Sequence, residues 1–247
     1  EMMVRFTQSQ QLGETLKNAS LHLLSQQINT RQIVDDPEVR SIVVFNGSPE
    51  DQTGLATFDS EFLAGGIEIR DAAGNIIPLS LCESDSSGHT VTCFVATDVP
   101  QHGYKTYWAY PGEFLSPSVT KDSGNVIDNE FISLTVNLGD GTISIFDKRS
   151  GRLYEGLNQF IDDGDSGTLG RFVSPPHDTV IDVATNTPLS FDRIRTPCYE
   201  TISYLLILRV PFELTQDKNA RLPLAAQFVP ISISVAVTLI RGVPRAD

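Results

Sequence analysis

Residues 131–146 read FISLTVNLGDGTISIF, and this stretch decides the fold class. Polar side chains separate Ile132, Leu134 and Val136, which is the period of two that a strand with one buried face shows. The GDG turn at residues 139–141 then leads into a second apolar run, so the stretch predicts an antiparallel β-hairpin. Similar runs rich in Val, Ile, Phe, Thr and Tyr recur along the chain. We therefore predict a mainly β protein built as an antiparallel β-sandwich.

The other predicted strands have the same composition and are bounded by turn residues. They span residues 41–45, 55–62, 67–70, 76–81, 90–96 and 105–110 before the hairpin, and residues 200–210 and 227–241 after it. Residues 159–188 have no sustained period and are rich in Asp, Gly, Ser and Pro, which is typical of a long irregular loop. Helical segments do not alternate with the strands, so a parallel α/β sheet is not expected.

One N-terminal amphipathic helix is predicted over residues 9–29. Its apolar positions Leu12, Leu16, Ala19 and Leu23 share one helical face, and polar residues fill the other positions. A stripe of this kind has to pack on a partner, and no other segment has comparable helical periodicity. We expect the helix to be the least stable element, because isolated helices are marginal in water. It docks on the sandwich or pairs with a second copy, so a homo-oligomer stays open.

Composition divides the chain into three parts. The helix occupies residues 1–36, and a change to short β-rich runs follows the Asp-Asp-Pro sequence at residues 35–37. Residues 116–125 contain Pro, Ser and Gly and few apolar side chains, which marks a second boundary. We predict a small β-sandwich over residues 37–118 and a second β-sandwich region over residues 119–247.

Charge and hydropathy argue against two classes of partner. The 247 residues carry 18 Lys and Arg against 31 Asp and Glu, a net charge of −13 that repels nucleic acid. The most apolar run, residues 228–240, is interrupted by Ser232 and Ser234 and is shorter than the roughly 20 residues of a membrane helix. Neither nucleic acid nor a membrane is expected as a partner.

The three cysteines are Cys82, Cys93 and Cys198, and they have no spacing typical of zinc or redox sites. No secretory signal is visible, so a reduced, cytoplasmic compartment is favoured while the compartment itself stays open. Free thiols are therefore expected, although Cys82 and Cys93 could also face each other across a hairpin.

Catalytic motifs of the common hydrolase, zinc-protease, P-loop and dinucleotide-binding types are absent from the sequence. None of the four histidines has a neighbour at metal-ligand spacing, so no metal site and no catalytic residue is predicted. The densest polar cluster is DDGDSG at residues 162–167, which lacks the final Glu of a calcium loop. Its carboxylates could serve glycoside hydrolysis, or they could form a turn that satisfies its own backbone.

The order of several short motifs resembles the family 38 α-mannosidases, from the end of the helical middle domain onward. The resemblance extends from about residue 12 to residue 244. The motifs are IVVFN at 42–46, IEIRD at 67–71 with GNIIP at 74–78, FVA at 94–96 with VP at 99–100 and GYKTY at 103–107, IDNEF at 127–131, DGT at 140–142 with DKRSGR at 147–152, and NQF at 158–160 with DDGD at 162–165 and SPP at 174–176.

This resemblance implies that the chain is a fragment. Residues 1–36 would end the helical middle domain, and residues 119–247 would begin the large C-terminal sandwich, a portion of a galactose-mutarotase-like supersandwich. The nucleophile, the general acid and most ligands of a zinc-type divalent metal would lie in an N-terminal catalytic domain of the same chain, which is the implied partner. The fragment alone would contain no cofactor and would be inactive.

The loop over residues 162–176 matches the family segment that lines the substrate pocket, with a pattern like GDxYxYSPP. Arg171 stands where the first tyrosine is expected and Val173 where the second is expected, and residues 167–170 hold an extra residue. The tyrosine's role is therefore not carried over. Asp163, Asp165 and Arg171 are the candidate substrate-binding residues, and Arg171 could instead pair with one of the two aspartates.

Two functions follow. The first is a non-catalytic scaffold and partial pocket wall of a retaining α-mannosidase, with a mannoside as substrate. The second is an autonomous carbohydrate-binding β-sandwich module, which fits the strands and the acidic composition but leaves the apolar stripe of the helix unexplained. A reading frame that extends far upstream would favour the enzyme.

Overall fold

The structure is a computed structural model that describes residues 2–30, 38–59, 66–84, 90–112, 119–182, 189–223 and 227–247. The chain divides into two compact units, residues 1–117 and 118–247. The described residues are mainly in antiparallel strands with one N-terminal helix, as the sequence predicts. Each unit has its own apolar core.

The first unit contains one helix and seven described strands. They are α1 (Met2–Gln26), β1 (Arg40–Phe45), β2 (Gln52–Asp59), β3 (Ile67–Arg70), β4 (Ile76–Ile77), β5 (Leu79–Ser84), β6 (Thr90–Val99) and β7 (Tyr104–Pro111). One sheet has the order β1-β7-β3-β4 and the other the order β2-β6-β5. Their facing side chains share one core, in which the rings of Phe94 and Tyr107 lie edge to face at 4.7 Å. The two sheets therefore pack as a β-sandwich.

The predicted strand at residues 76–81 is wrong as a single element. Pro78 lies between β4 and β5, which belong to different sheets. Proline has no N–H to donate to a ladder, so the chain changes sheet at this residue. Residues 60–62 of the strand predicted at 55–62 lie outside the described residues.

The expectation of free thiols is wrong for Cys82 and Cys93, which form a disulfide with an S–S distance of 2.17 Å. The two residues lie on the adjacent antiparallel strands β5 and β6, and their Cα atoms are 5.9 Å apart, a separation that suits a bridge. Reasoning from compartment alone does not include this cross-strand geometry. Cys198 is a buried cysteine outside this disulfide.

Helix α1 begins seven residues earlier and ends three residues earlier than predicted. No proline or glycine interrupts residues 2–8, and the helix ends where Gln27 and Ile28 donate to carbonyls three residues back. The helix buries no residue, and Leu12, Leu16 and Leu23 are all exposed. It therefore presents its apolar stripe to solvent in this chain.

The second unit contains eight described strands. They are β8 (Thr120–Asp122), β9 (Val126–Asp128), β10 (Ile132–Val136), β11 (Ile143–Asp147), β12 (Arg152–Leu157), β13 (Leu189–Arg195), β14 (Tyr199–Pro211) and β15 (Phe228–Ile240). The sheet orders are β12-β11-β10-β9 and β15-β14-β13-β8. Side chains from both sheets form the second core, as in a sandwich.

The predicted hairpin is confirmed as β10 and β11, with Val136 paired to Ile143 next to the turn. Gly141 has a φ of +74°, and a Cβ there would lie 2.6 Å from a methyl group of Leu206. The Gly141 carbonyl accepts a hydrogen bond of 2.8 Å from the Tyr204 hydroxyl of β14. The turn therefore needs glycine both for its conformation and for its close approach to the facing sheet.

Asn129 connects the start of the hairpin with the end of the chain. Its Nδ2 donates to the carbonyls of Ile240 and Val243, each at 2.9 Å. Its Oδ1 accepts from the backbone N–H groups of Phe131 and Ile132. The side chain is buried, and these four bonds use its full capacity.

Strands β8, β9, β12 and β13 were not predicted. β8 and β9 are three residues long, and β12 is exposed along its whole length at a sheet edge, so none has a readable alternation. β13 directly follows the proline- and threonine-rich end of the irregular segment. Burial and partner strands fix these elements, and neither is visible in a short local pattern.

Candidate functional site

The candidate site is the loop over residues 162–176, which lies between β12 and β13 in the second unit. Its base is closed by a two-way backbone bridge, in which Asp162 N–H donates to Ile181 at 2.9 Å and Ile181 N–H donates back at 2.8 Å. Ile181 is buried. The described part of residues 158–182 contains isolated bridges and no strand, in agreement with the predicted irregular loop.

A second anchor comes from the connection between β14 and β15. Leu214 and Arg221 form a bridge there, and Thr215 N–H and Leu222 N–H close a short turn by bonding to Ala220 and Glu213. This turn places the Arg221 side chain, which is only 7% exposed, under the base of the loop.

The Arg221 guanidinium contacts four acceptors of the loop region. Nε donates to Asp178 Oδ1 at 2.7 Å, Nη1 donates to Asp162 Oδ2, and Nη2 donates to the Asp162 carbonyl at 3.1 Å and to the Thr179 carbonyl. The second oxygen of Asp178 accepts the Gly164 N–H at 2.6 Å. One cation therefore holds both sides of the loop base.

The Asp178 carboxylate is 5% exposed at its side chain. Burial raises its pKa, but the hydrogen bonds from the Gly164 N–H and from Arg221 lower it by more, so the pKa lies below its ordinary value of 3.8. The carboxylate is therefore ionised at neutral pH and pairs with Arg221 as a charge.

The tip of the loop folds around Asp165. Its Oδ1 accepts the N–H of Gly167 at 2.8 Å and of Val173 at 2.9 Å. These two backbone donors lower the pKa of the carboxyl group. A Cβ on Gly167 would lie 2.0 Å from the Arg171 carbonyl oxygen, so only glycine fits this approach. The turn that satisfies its own backbone is therefore present.

The three candidate residues have different surroundings. Asp163 is exposed, between the anchored residues Asp162 and Gly164. Arg171 forms two backbone bonds with Thr168, and its side chain is exposed. Neither Asp163 nor Asp165 is within ion-pair distance of Arg171, although all three belong to the described residues. The loop thus holds them on one segment without joining them into a charge pair.

Arg221 and Asp178 are the site residues that sequence reasoning missed. Arg221 is 43 positions from Asp178 and 59 from Asp162. Both residues stand in polar segments without periodicity, where a charged side chain is usually solvated. A local pattern carries no signal for a pair at such a separation.

A separate cleft of about 450 Å³ lies in the first unit, between the last turns of α1 and β1. Its lining includes Leu21, His22 and Gln26 from the helix and Val43 and Phe45 from the strand. His22 and Gln26 already bond to each other at 2.9 Å. The candidate residues of the second unit do not line this cleft.

The described part of the chain has neither a metal-ligand group nor a membrane-spanning helix. No cluster of three or more His, Cys, Asp or Glu side chains there could hold a metal ion. α1, the described helix, is not apolar enough over a sufficient length to cross a bilayer.

Comparison with protein-family models finds none that matches, and no curated protein matches in sequence. Solved structures do match. A protein in the glycosyl hydrolase family 38 from Enterococcus faecalis superposes with a TM-score of 0.74 at 18% identity, over 97% of this chain and 34% of its own. An α-mannosidase from Enterococcus faecalis V583 gives the same TM-score, identity and coverage of this chain, over 32% of its own.

The chain spans about a third of the length of these structures. At 18% identity the likeness shows the fold alone. The resemblance drawn from the ordered motifs is confirmed at the level of the fold. This chain has the fold of part of the family 38 α-mannosidase structures.

Proposed function

We propose that the chain is a non-catalytic β-sandwich fragment of a retaining α-mannosidase of glycosyl hydrolase family 38, where it acts as a scaffold and as part of the substrate-pocket wall. The observation that carries this proposal is the fold likeness over 97% of the chain to proteins of that description. The ordered sequence motifs support it independently, because they do not depend on the superposition.

The exposed stripe of α1 is a second support. Leu12, Leu16 and Leu23 lie on one helical face, are all exposed, and do not belong to the described core of the first unit. An exposed apolar face of this kind is typical of a surface that another part of a protein covers. A catalytic domain of the same protein would cover this stripe, whereas an autonomous binding module would need a second copy to cover it.

The proposed reaction is a double displacement at the anomeric carbon. In such enzymes a carboxylate attacks from one face while a carboxylic acid protonates the leaving oxygen, and the two groups lie about 5 to 5.5 Å apart. A bound divalent metal of the zinc type would bind and polarise sugar hydroxyls. In this proposal both carboxyl groups and most ligands of the metal belong to the N-terminal catalytic domain that the family resemblance implies.

The residues of this chain would contact the substrate through the loop. Asp163 accepts hydrogen bonds from sugar hydroxyls, and Arg171 donates them, because both side chains are exposed and unpaired with each other. Asp165 already uses Oδ1 for the loop backbone, which leaves Oδ2 for a hydroxyl. The loop would thus supply orientation and specificity, while the chemistry takes place on the catalytic domain.

The test is steady-state kinetics of the full-length enzyme on α-linked mannobioses. We expect Asp163→Asn and Arg171→Ala each to raise KM roughly tenfold, the loss of one hydrogen bond to a charged group. Asp192→Asn and Arg209→Ala are matched controls, since both residues are exposed in the same unit and lie outside the loop. Unchanged KM in both loop variants would contradict the pocket-wall role.

The isolated chain provides a complementary test. It should not hydrolyse an aryl α-mannoside, since it contains no catalytic carboxyl pair in this proposal. Turnover by the purified 247-residue chain would contradict the assignment. Tight mannoside binding by the isolated chain, together with a reading frame that starts just before residue 1, would favour the autonomous carbohydrate-binding module instead.

A further inference from the structure

The contacts of Arg221 suggest a role beyond stability. A guanidinium has five N–H donors in a rigid planar fork, and here it is surrounded by four acceptors at the base of the loop, from Asp162, Asp178 and Thr179. Two are carboxylate oxygens, of Asp162 and Asp178, and two are backbone carbonyls. An ammonium group cannot meet these four acceptors at once, so the arrangement is specific to arginine.

The fixed points of the loop lie on either side of Asp163. Asp162 is held by its bridge to Ile181 and by Arg221, and Gly164 is held through Asp178, which is itself held by Arg221. Asp163 stands between these two anchored residues. The direction of its side chain is therefore set by a residue that it does not contact.

We infer that Arg221 is a positioning residue for substrate recognition, which fixes the direction in which Asp163 and the loop tip face the sugar. The inference rests on the proposed pocket-wall function for its kinetic consequence. Its structural part, the clamping of the loop by Arg221, is independent of that function.

The structural part is tested by hydrogen exchange on the 247-residue chain. We expect Arg221→Met and Arg221→Lys to lower the protection of the amides of Asp162, Gly164 and Ile181 at least tenfold, while β10 and β11 keep wild-type protection. Arg209→Met is the matched control, since that arginine lies over Phe228 and contributes nothing to the loop. Wild-type protection of the loop in Arg221→Lys would overturn the inference.

A second variant covers the case in which Arg221→Met does not fold, because that change leaves the buried Asp178 without its cation. Asp178→Leu keeps about the size of the side chain and removes both acceptor oxygens, whereas the amide oxygen of an asparagine could still accept the Gly164 N–H. It should release the Gly164 amide, and full protection of that amide would also overturn the inference.

The kinetic part uses the full-length enzyme and the same mannobiose. Arg221→Lys should raise KM by about the same factor as Asp163→Asn with little change in kcat, a split that loss of folded enzyme does not produce. If Asp163→Asn raises KM and Arg221→Lys does not, the inference fails and the proposed function stands. If Arg221→Lys, Asp163→Asn and Arg171→Ala all leave KM unchanged, the pocket-wall function fails, and the positioning role fails with it.

Discussion

The hairpin of β10 and β11 and the loop at residues 162–181 belong to the same unit but are held by different forces. The hairpin buries Ile132, Leu134 and Val136 in the shared core, so apolar area stabilises it. Pro175 and Ile181 are the buried apolar side chains of the loop, and its base is anchored by one guanidinium and two carboxylates. A strand packed in the apolar core resists local unfolding, whereas a loop held by ion pairs can unfold locally while the core stays folded. We expect ion-pair anchoring of this type where a segment has to adapt to a ligand.

The largest expected effect is on the hairpin. Leu134 is 0% exposed, and Leu134→Ala should lower the free energy of unfolding of this unit by about 3 kcal/mol, because it leaves a cavity in the core. Urea denaturation with a fluorescence or circular dichroism readout measures this. Leu138→Ala, at the 55% exposed turn residue, is the control and should change it by less than about 0.5 kcal/mol. Equal effects of the two variants would contradict the account of the hairpin.

The disulfide stabilises the first unit by a covalent bond, in contrast to the apolar burial of the hairpin and the ion pairs of the loop. Cys82 and Cys93 are 11 residues apart, and cross-linking a loop of this size stabilises by roughly 2 to 3 kcal/mol. Reduction, or replacement of both cysteines by alanine, should therefore lower the denaturation midpoint of the first unit. The hydrogen-exchange protection of β10 and β11 should stay the same. Two thiols titratable in the native, unreduced chain would show that the bridge is not formed.

Acid should destabilise the loop at a pH at which the hairpin is still stable. The pKa of Asp178 is below 3.8 in the folded chain, so its stabilising contribution is present above that unfolded value and is lost as pH falls through the lower folded value. Exchange protection at Gly164, corrected for the intrinsic rate, should be constant near neutral pH and fall below about pH 4. Residues 202–208 of β14 have no acidic side chain and serve as the internal reference. A loss of protection that starts near pH 6 would point to a different group.

The smallest expected effect is that of Asp165→Ala. The change removes the acceptor of two backbone N–H groups at the exposed tip, so exchange at Gly167 and Val173 should accelerate. The melting temperature of the chain should stay close to wild type, while KM rises or kcat falls in the full-length enzyme. A lowered melting temperature with unchanged kinetics would assign Asp165 a purely structural role.

The difference between the two regions also explains what could be predicted from the sequence. Alternation at Ile132, Leu134 and Val136 is a local signal, and it predicts the hairpin. The turn around Asp165 was also among the predicted alternatives, because Asp followed by Gly two residues later favours a turn of this type. The contacts of Arg221 join positions far apart in sequence, so only the folded chain reveals them.

The stripe of α1 marks another limit of sequence reasoning. The period of Leu12, Leu16 and Leu23 predicted a helix, and the helix is present. The periodicity indicates that the stripe packs against a partner, but it does not identify that partner. The described core residues of the first unit do not include any residue of α1. The edge strand β12 was missed for the related reason that its residues are all exposed and show no alternation.

The proposed assignment to a retaining α-mannosidase is tested most directly by the anomer that the full-length protein releases first. An aryl α-mannoside is mixed with the protein and followed by proton NMR before mutarotation equilibrates the sugar. The account predicts that α-mannose appears first, because two displacements at the anomeric carbon restore its configuration. First release of β-mannose would contradict the retaining mechanism, and no hydrolysis by a folded full-length protein would contradict the assignment as a whole.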